Sequence, residues 1–436
     1  MIKRILLLLV PFGFAASQLT AQESMSLADC IAYALTNHPE VHLAQLTMKD
    51  ANARIKENRS DAYPKFNLGA FADHYIQQPA IPADALGFEG VPEGTKVKFA
   101  LQNNYHGSIS YDQLLFNSDY IVSLKAAKMY RDYADLQLET VKEKVRDMVT
   151  DAYLPALVVS ESIKVLDENI ANQQQLFKET KATYGSGFVE QLDVDRVEYV
   201  VSTLTTARES QVRQREILLD NLKFTMNKPL TDDITLTDDI DKLLADYDDI
   251  NPDEDLDYMN RPQYVEILKL RELSQVQVEV YQKDWLPKLS FYASYNPSFQ
   301  GNNKLYWIPS AIMGLSLTMP IYDGGFSDAL QERAEVNALK VDEQKETLRR
   351  SLDLELEVAR KQYENSKQKM SDQEHNLVLA KRIFETTQTK FKQGVGSSSD
   401  VTQAQAGLLQ AESALIQSRS EYLKSIVDLR KALGKT

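Results

Sequence analysis

Few residues in this chain stand where they could do covalent or metal chemistry. Of five histidines, only His38 and His42 share the i, i+4 spacing that sets two ring nitrogens on one helix face. Pro39 lies between them and no HExxH context surrounds them, so their expected role is structural. No Gly-x-Ser-x-Gly elbow occurs, and the one cysteine, Cys30, has no base nearby in sequence. Leu27, Ile31, Ala34 and Leu35 give its surroundings a helical apolar face, which predicts a buried structural thiol. Gly185-Ser186-Gly187 follows no strand and precedes no Gly-Lys-Ser/Thr, as a phosphate cradle would require. Thr231 to Asp257 holds 12 Asp/Glu against Lys242 alone, but not at EF-hand spacing, and reads as a solvated linker. The sequence thus predicts no catalytic residue, no metal and no cofactor. It is not the sequence of an enzyme.

The elements around these residues are more telling, because they occur twice. Asn37-His38-Pro39-Glu40-Val41 returns as Asn260-Arg261-Pro262-Gln263-Tyr264, and Tyr63-Pro64-Lys65-Phe66 as Leu286-Pro287-Lys288-Leu289, both displaced by 223 positions. Phe116 returns as Tyr322 after 206 positions, and Gly187 as Gly394 after 207. The first copy therefore carries about seventeen more residues between its strands, within the Pro- and Gly-rich stretch from Pro79 to Lys96, which reads as a loop. Each copy predicts a short helix, a strand, a loop, a strand, a very long helix, a Gly-containing break and a long helix. The organisation expected is a leader at 1–21, a first repeat at 22–229, an acidic linker at 230–257 and a second repeat at 258–436.

Four segments alternate with period two. Leu289, Phe291, Ala293 and Tyr295 share one face, as do Met313, Leu315, Leu317 and Met319. The first copy offers Phe66, Leu68, Ala70 and Ala72, then Tyr105, Gly107, Ile109 and Tyr111. Such alternation over about ten residues suits transmembrane β-strands. Trp285 and Trp307 flank the second pair, where membrane-interface aromatics belong. An ordinary two-layer sheet would show the same alternation.

The helices favour the membrane reading. Ser118 to Thr183 and Phe326 to Lys390 are almost free of Gly and Pro, with Pro155 the main interruption. At ~1.5 Å per residue each would be a rod of ~100 Å. Coiled-coil spacing appears at Val194, Val197, Val201 and Leu204, and at Val401, Ala404, Leu408, Ala411 and Leu415. Four strands cannot close a barrel without open edges, so sister copies must close it.

Lys3 and Arg4, an apolar run from Ile5 and Ala21 before Gln22 form a secretory leader. Its removal takes the formal charge from −14 to −16, an export-bound acidic chain ill suited to nucleic acid.

The whole mature chain resembles the TolC-like outer membrane efflux proteins. Ser26 to Leu35 with Asn37 to Val41 is similar to the family's opening helix, and Pro320-Ile321-Tyr322-Asp323-Gly324-Gly325 to its strand exit, with Leu115 to Ser118 a decayed copy. Tyr184 to Val194 and Phe391 to Val401 resemble its two hairpin breaks. The resemblance implies a mainly α fold with a small β part. Three protomers would build a 12-stranded barrel in outer-membrane lipid and a periplasmic α-barrel. It also implies an exit duct working with a periplasmic adaptor and an inner-membrane transporter, proton-driven or ATP-driven. The adaptor would meet the tip at Gly187, Phe188, Val189, Gly394, Val395 and Gly396. The periplasmic gate would use Asp400, with Gln403 where a second acid is usual; Asp400 is also placed to cap the last helix. Asp193 matches the acid of the family's latch, but its partner positions are Phe391 and Gly396, which offer no side-chain donor, so packing around Phe391 is expected to hold the tip closed. An exported coiled-coil scaffold without a lumen is the other class of reading.

Overall fold

The computed structural model describes residues 23–435 apart from 88, 89, 91, 93 and 248, so the expected leader lies outside the described residues. In chain order the first half runs β1 (Glu23–Met25), α1 (Leu27–Asn37), α2 (Pro39–Ser60), β2 (Lys65–His74), β3 (Ala80–Pro82), β4 (Lys96–Lys98) and β5 (Asn103–Phe116). It continues with α3 (Ser118–Gly185), α4 (Gln191–Met226), β6 (Ile234–Leu236) and α5 (Ile240–Tyr247). The second half holds α6 (Pro262–Gln282), β7 (Lys288–Asn296), β8 (Ser298–Gly301), β9 (Leu305–Trp307), β10 (Ser310–Thr318), α7 (Phe326–Lys392) and α8 (Ser398–Ala432). The fold is mainly α with a small β part, and the element order repeats as the sequence leads one to expect. The chain divides into two compact units, one of Ala44–Thr140 with Arg261–Ser351, the other of the remaining segments.

The strand-bearing unit is built on an antiparallel ribbon in the order β2, β5, β7, β10. Its register sorts the alternating residues onto two faces. Phe66, Tyr111, Ala293 and Met313 line up across all four strands, as do Leu68, Ile109, Tyr295 and Ala311. The opposite face carries Asn67, Ser110, Ser294 and one apolar exception, Ile312, with Lys65, Asp112, Tyr292 and Gly314 in the next row. The apolar face is bare: Leu68 is 80 % exposed and Met313 77 %. β2 and β10 each have one edge with no partner strand among the described residues. The structure adds strands that alternation did not predict. β8 extends β5 beyond β7 and pairs with β9, and β3 and β4 make a hairpin within the long first loop. At three or four residues, such strands are too short to show a period.

Asp323 ends the ribbon and starts α7. Its carboxylate accepts the amides of Gly325 and Ser327; the Ser327 side chain first, then the backbone amides, hold its pKa below the ordinary value, and Gly324 and Gly325 take positive φ of 73° and 83°. Its first-copy equivalent, Asn117, does the same more simply, accepting the Asp119 amide at 2.9 Å.

In the helical unit, Leu356, Ala359 and Tyr363 of α7 pack on Tyr422, Ile426 and Leu429 of α8. The acidic segment corrects the expectation of a merely solvated linker. β6 pairs in parallel with β1, and Leu244, Tyr247, Ile250 and Leu256 lie against the α7–α8 cluster. Its apolar residues supply much of the attachment, and Asp238 adds to it by accepting the Leu27 amide and the Tyr153 hydroxyl; Arg360 donates to the carbonyls of Pro252 and Glu254. Cys30 is fully buried in this unit, and burial pushes its thiol up to about 12. His38 is buried at the junction of α1 and α2, its Nδ1 accepting the Glu40 amide.

Candidate gate and docking tip

Two helix hairpins end in the same turn. After α3, the Phe188 amide donates to the Thr183 carbonyl at 3.2 Å and the Gly187 amide to Tyr184 at 2.9 Å. After α7, Val395 donates to Lys390 at 3.0 Å and Gly394 to Phe391 at 2.9 Å. Both are Schellman closures, which need a left-handed residue, and Gly187 and Gly394 supply it at φ 82° and 76°. The residue after that glycine normally packs an apolar side chain back on the helix. Here the position it would meet is Thr183 or Lys390, and Phe188 and Val395 are instead 83 % and 74 % exposed. Val189 is half-buried. Gly396 is needed for a different reason: a Cβ there would stand 2.9 Å from the Phe391 nitrogen.

Behind the turns the four helices meet. Leu176, Val197 and Val401 form a buried cluster, with Phe177, Phe384 and Phe391 packed against it. Asp193 has a partner the sequence reading missed. Its Oδ2 accepts the Glu190 amide in a capping box at the start of α4, and its Oδ1 accepts the hydroxyl of Ser398 at 2.5 Å. Ser398 is 1 % exposed and also accepts from Arg196 at 3.1 Å. One buried hydroxyl therefore joins an acid and a base of α4 to the first turn of α8. Three consecutive serines, Ser397 to Ser399, gave no sign of which would turn inward.

Asp400 does not cap α8, contrary to one of its two expected roles. Ser397 is the N-cap, its hydroxyl accepting the Ser399 amide, and Asp400 is exposed in the first turn. It lies with Gln403 in a groove of about 400 Å³ between α7 and α8, lined by Ala380, Ile383 and Thr387. Gln403 also borders a 540 Å³ groove on the other side of α8, where Asp195, Arg196 and Tyr199 of α4 stand. In the other unit, Trp285 precedes β7 and is exposed, whereas Trp307 sits in β9 with its ring 4.6 Å from that of Phe299.

Helical hairpins with glycine-turned tips, together with a ribbon apolar on one face and polar on the other, define a channel subunit of the outer membrane. The chain belongs to the outer membrane efflux protein family, whose model matches residues 30–222 and 259–435. Its fold is similar to the outer membrane protein VceC of Vibrio cholerae, with a TM-score of 0.71, 15% identity, and 94% of this chain and 96% of that one covered. The Campylobacter jejuni CmeC channel gives 0.72 at 17% identity, covering 94% and 85%. The open state of the Neisseria gonorrhoeae MtrE channel gives 0.73 at 14%, covering 94% and 88%. At these identities the likeness is one of fold. No curated protein matches the sequence. No helix among the described residues is long and apolar enough to cross a membrane.

Proposed function

We propose that this protein is the outer-membrane exit duct of a tripartite export system. It passes small molecules or peptides from an inner-membrane transporter through a periplasmic adaptor to the exterior. It does no chemistry itself; the pump supplies the free energy, and the duct supplies a wet path and a gate. The observation that carries this reading is the ribbon, with two unpaired edges, one bare apolar face and one polar face. Each strand of nine or more residues spans ~30 Å at ~3.4 Å per residue, the depth of a bilayer core. Leaving edge amides and carbonyls unpaired in lipid costs several kcal/mol per group, so closure is obligatory. Three protomers give 12 strands, with β2 of one meeting β10 of the next in antiparallel sense. Trp285 and Trp307 then bracket the apolar band at the two interfaces.

The organisation is two repeats, 22–229 and 258–436, joined by the acidic segment 230–257. Phe188 and Val395, with Gly187, Val189, Gly394 and Gly396, present the surface on which the adaptor docks. Asp400 and Gln403 face the lumen, where repeated acids favour cations. Phe391 packing and the Asp193–Ser398 bridge hold the tip closed.

The test is the mass and conductance of the full chain purified from outer membranes in detergent. A trimer that conducts in planar bilayers, and conducts more after Phe391→Ala, is the expected result. A water-soluble monomer extracted without detergent would overturn the duct in favour of a scaffold.

A further inference from the structure

Between α3 and α8 runs a ladder of buried amides that the gate does not use. Gln173 Nε2 donates to Gln405 Oε1 at 2.7 Å, Gln405 Nε2 to Asn169 Oδ1 at 2.6 Å, and Asn169 Nδ2 to Glu412 Oε2 at 2.8 Å. Gln173 and Gln405 are each 2 % exposed and Asn169 is 5 %. Every amide donates in one direction, toward a carboxylate that when ionised can only accept. A seam of this kind fixes axial register, because sliding either helix by a turn would strand several buried polar groups together. Neither α7 nor α4 contributes a rung.

The last rung is titratable. Glu412 is half-buried, and the partner its carboxylate accepts from is the Asn169 amide, not a cation. The charges that face it are Glu168 on α3, which opposes ionisation, and Lys381 on α7, which favours it from farther off. Burial comes first among the causes and outweighs the hydrogen bond from Asn169, which favours the ionised form, so that the net effect raises its pKa above the usual carboxylate value. We propose that the Gln173–Gln405–Asn169–Glu412 ladder is a proton-tightened register clasp, holding α8 at one height against α3 and gripping harder when Glu412 takes up a proton.

The sign follows from linkage. Closing the clasp dehydrates a carboxylate with one donor, so the closed form binds a proton more tightly than an opened, rewetted form. A raised folded-state pKa adds stability at low pH that is lost as pH rises through it. Acidification therefore closes the clasp and neutral pH relaxes it. Gln405 lies seven positions beyond Ser398 on the same helix, so any effect on conduction rests on the proposed gate. The clasp itself does not.

Hydrogen exchange of the full chain in detergent, corrected for intrinsic rates and followed from neutral pH into the carboxylate range, separates the two. Amides around 165–176 and 405–415 are expected to gain up to roughly tenfold protection on acidification, the factor of a ~1.4 kcal/mol shift in an opening equilibrium. Glu412→Gln, which keeps an acceptor for Asn169 without the charge, should show the protected level throughout and lose the pH dependence. Lys381→Met, at an exposed position, should move the midpoint to higher pH, and Glu168→Gln to lower pH. Glu412→Gln with wild-type pH dependence would overturn the proposal, as would a Lys381→Met midpoint displaced downward. Conductance across the same pH range then reports whether the clasp reaches the gate.

Discussion

Replacing Ser398 by alanine is the sharpest probe of how the tip is held. The hydroxyl is buried, donates to Asp193 and accepts from Arg196, so one deletion removes both links between α4 and α8. Alanine is the best helix former, so α8 itself is not weakened. The capping box at Glu190 also survives, since it uses the other carboxylate oxygen. A hydrogen bond to a charged group contributes ~1.5–3 kcal/mol, but Asp193 is half-buried and can draw in water, so ~1–2 kcal/mol is the reasonable loss. If the hairpins separate on opening, that shifts the closed-to-open ratio by a factor of roughly 5 to 30. Single-channel recording in planar bilayers reads this as open probability, with Ser398→Thr as the variant that keeps a hydroxyl. Unchanged open probability in Ser398→Ala, alongside an increase in Phe391→Ala, would show that apolar packing alone holds the tip and refute the bridge.

Other consequences are equally direct. Leu315→Arg puts a charge on the bare face of β10 and should cost ~2–4 kcal/mol at the bilayer midplane, seen as loss of assembled protein from outer membranes. Ser316→Arg, one residue along on the polar face, should assemble normally and alter only ion preference. Phe188→Ala and Val395→Ala should leave the melting temperature within the small range of exposed substitutions, ~0.5 kcal/mol, yet abolish crosslinking to the adaptor. Cys30, buried and with its thiol at about 12, should resist alkylation at neutral pH in the folded chain and react only once denaturant unfolds it.

Much of the fold was legible because the determining patterns are long. Strands of nine or more residues show their alternation, and the register aligns those residues across the ribbon, so Phe66, Tyr111, Ala293 and Met313 belong to one face in sequence and in space. The repeat offset of 207 pairs Gly187 with Gly394, and both turn out to be helix-ending turns. What stayed hidden depends on single side chains or short pairings. β1 and β6 are three residues each and meet across more than two hundred positions. The acidic segment looked like pure solvent-facing chain because its anchoring apolar residues are outnumbered by carboxylates. Ser398 and the Gln173–Gln405 pair are polar residues whose burial only a neighbouring helix decides; by composition they belong to the wet face of a coiled coil.

The ribbon's two margins are unlike, β2 on one side and β10 on the other, so each copy must offer its left flank to a neighbour's right. Such head-to-tail joining has no self-complementary seam, and every copy carries half of two different junctions. A lesion in either flank is therefore contagious within a ring. With altered and intact copies made in equal amounts, only about one in eight of the proposed three-copy assemblies would be free of the defect. Inheritance of an edge mutation in a mixed population should consequently look dominant, because the damaged chain still joins through its sound flank and leaves the ring open at the other.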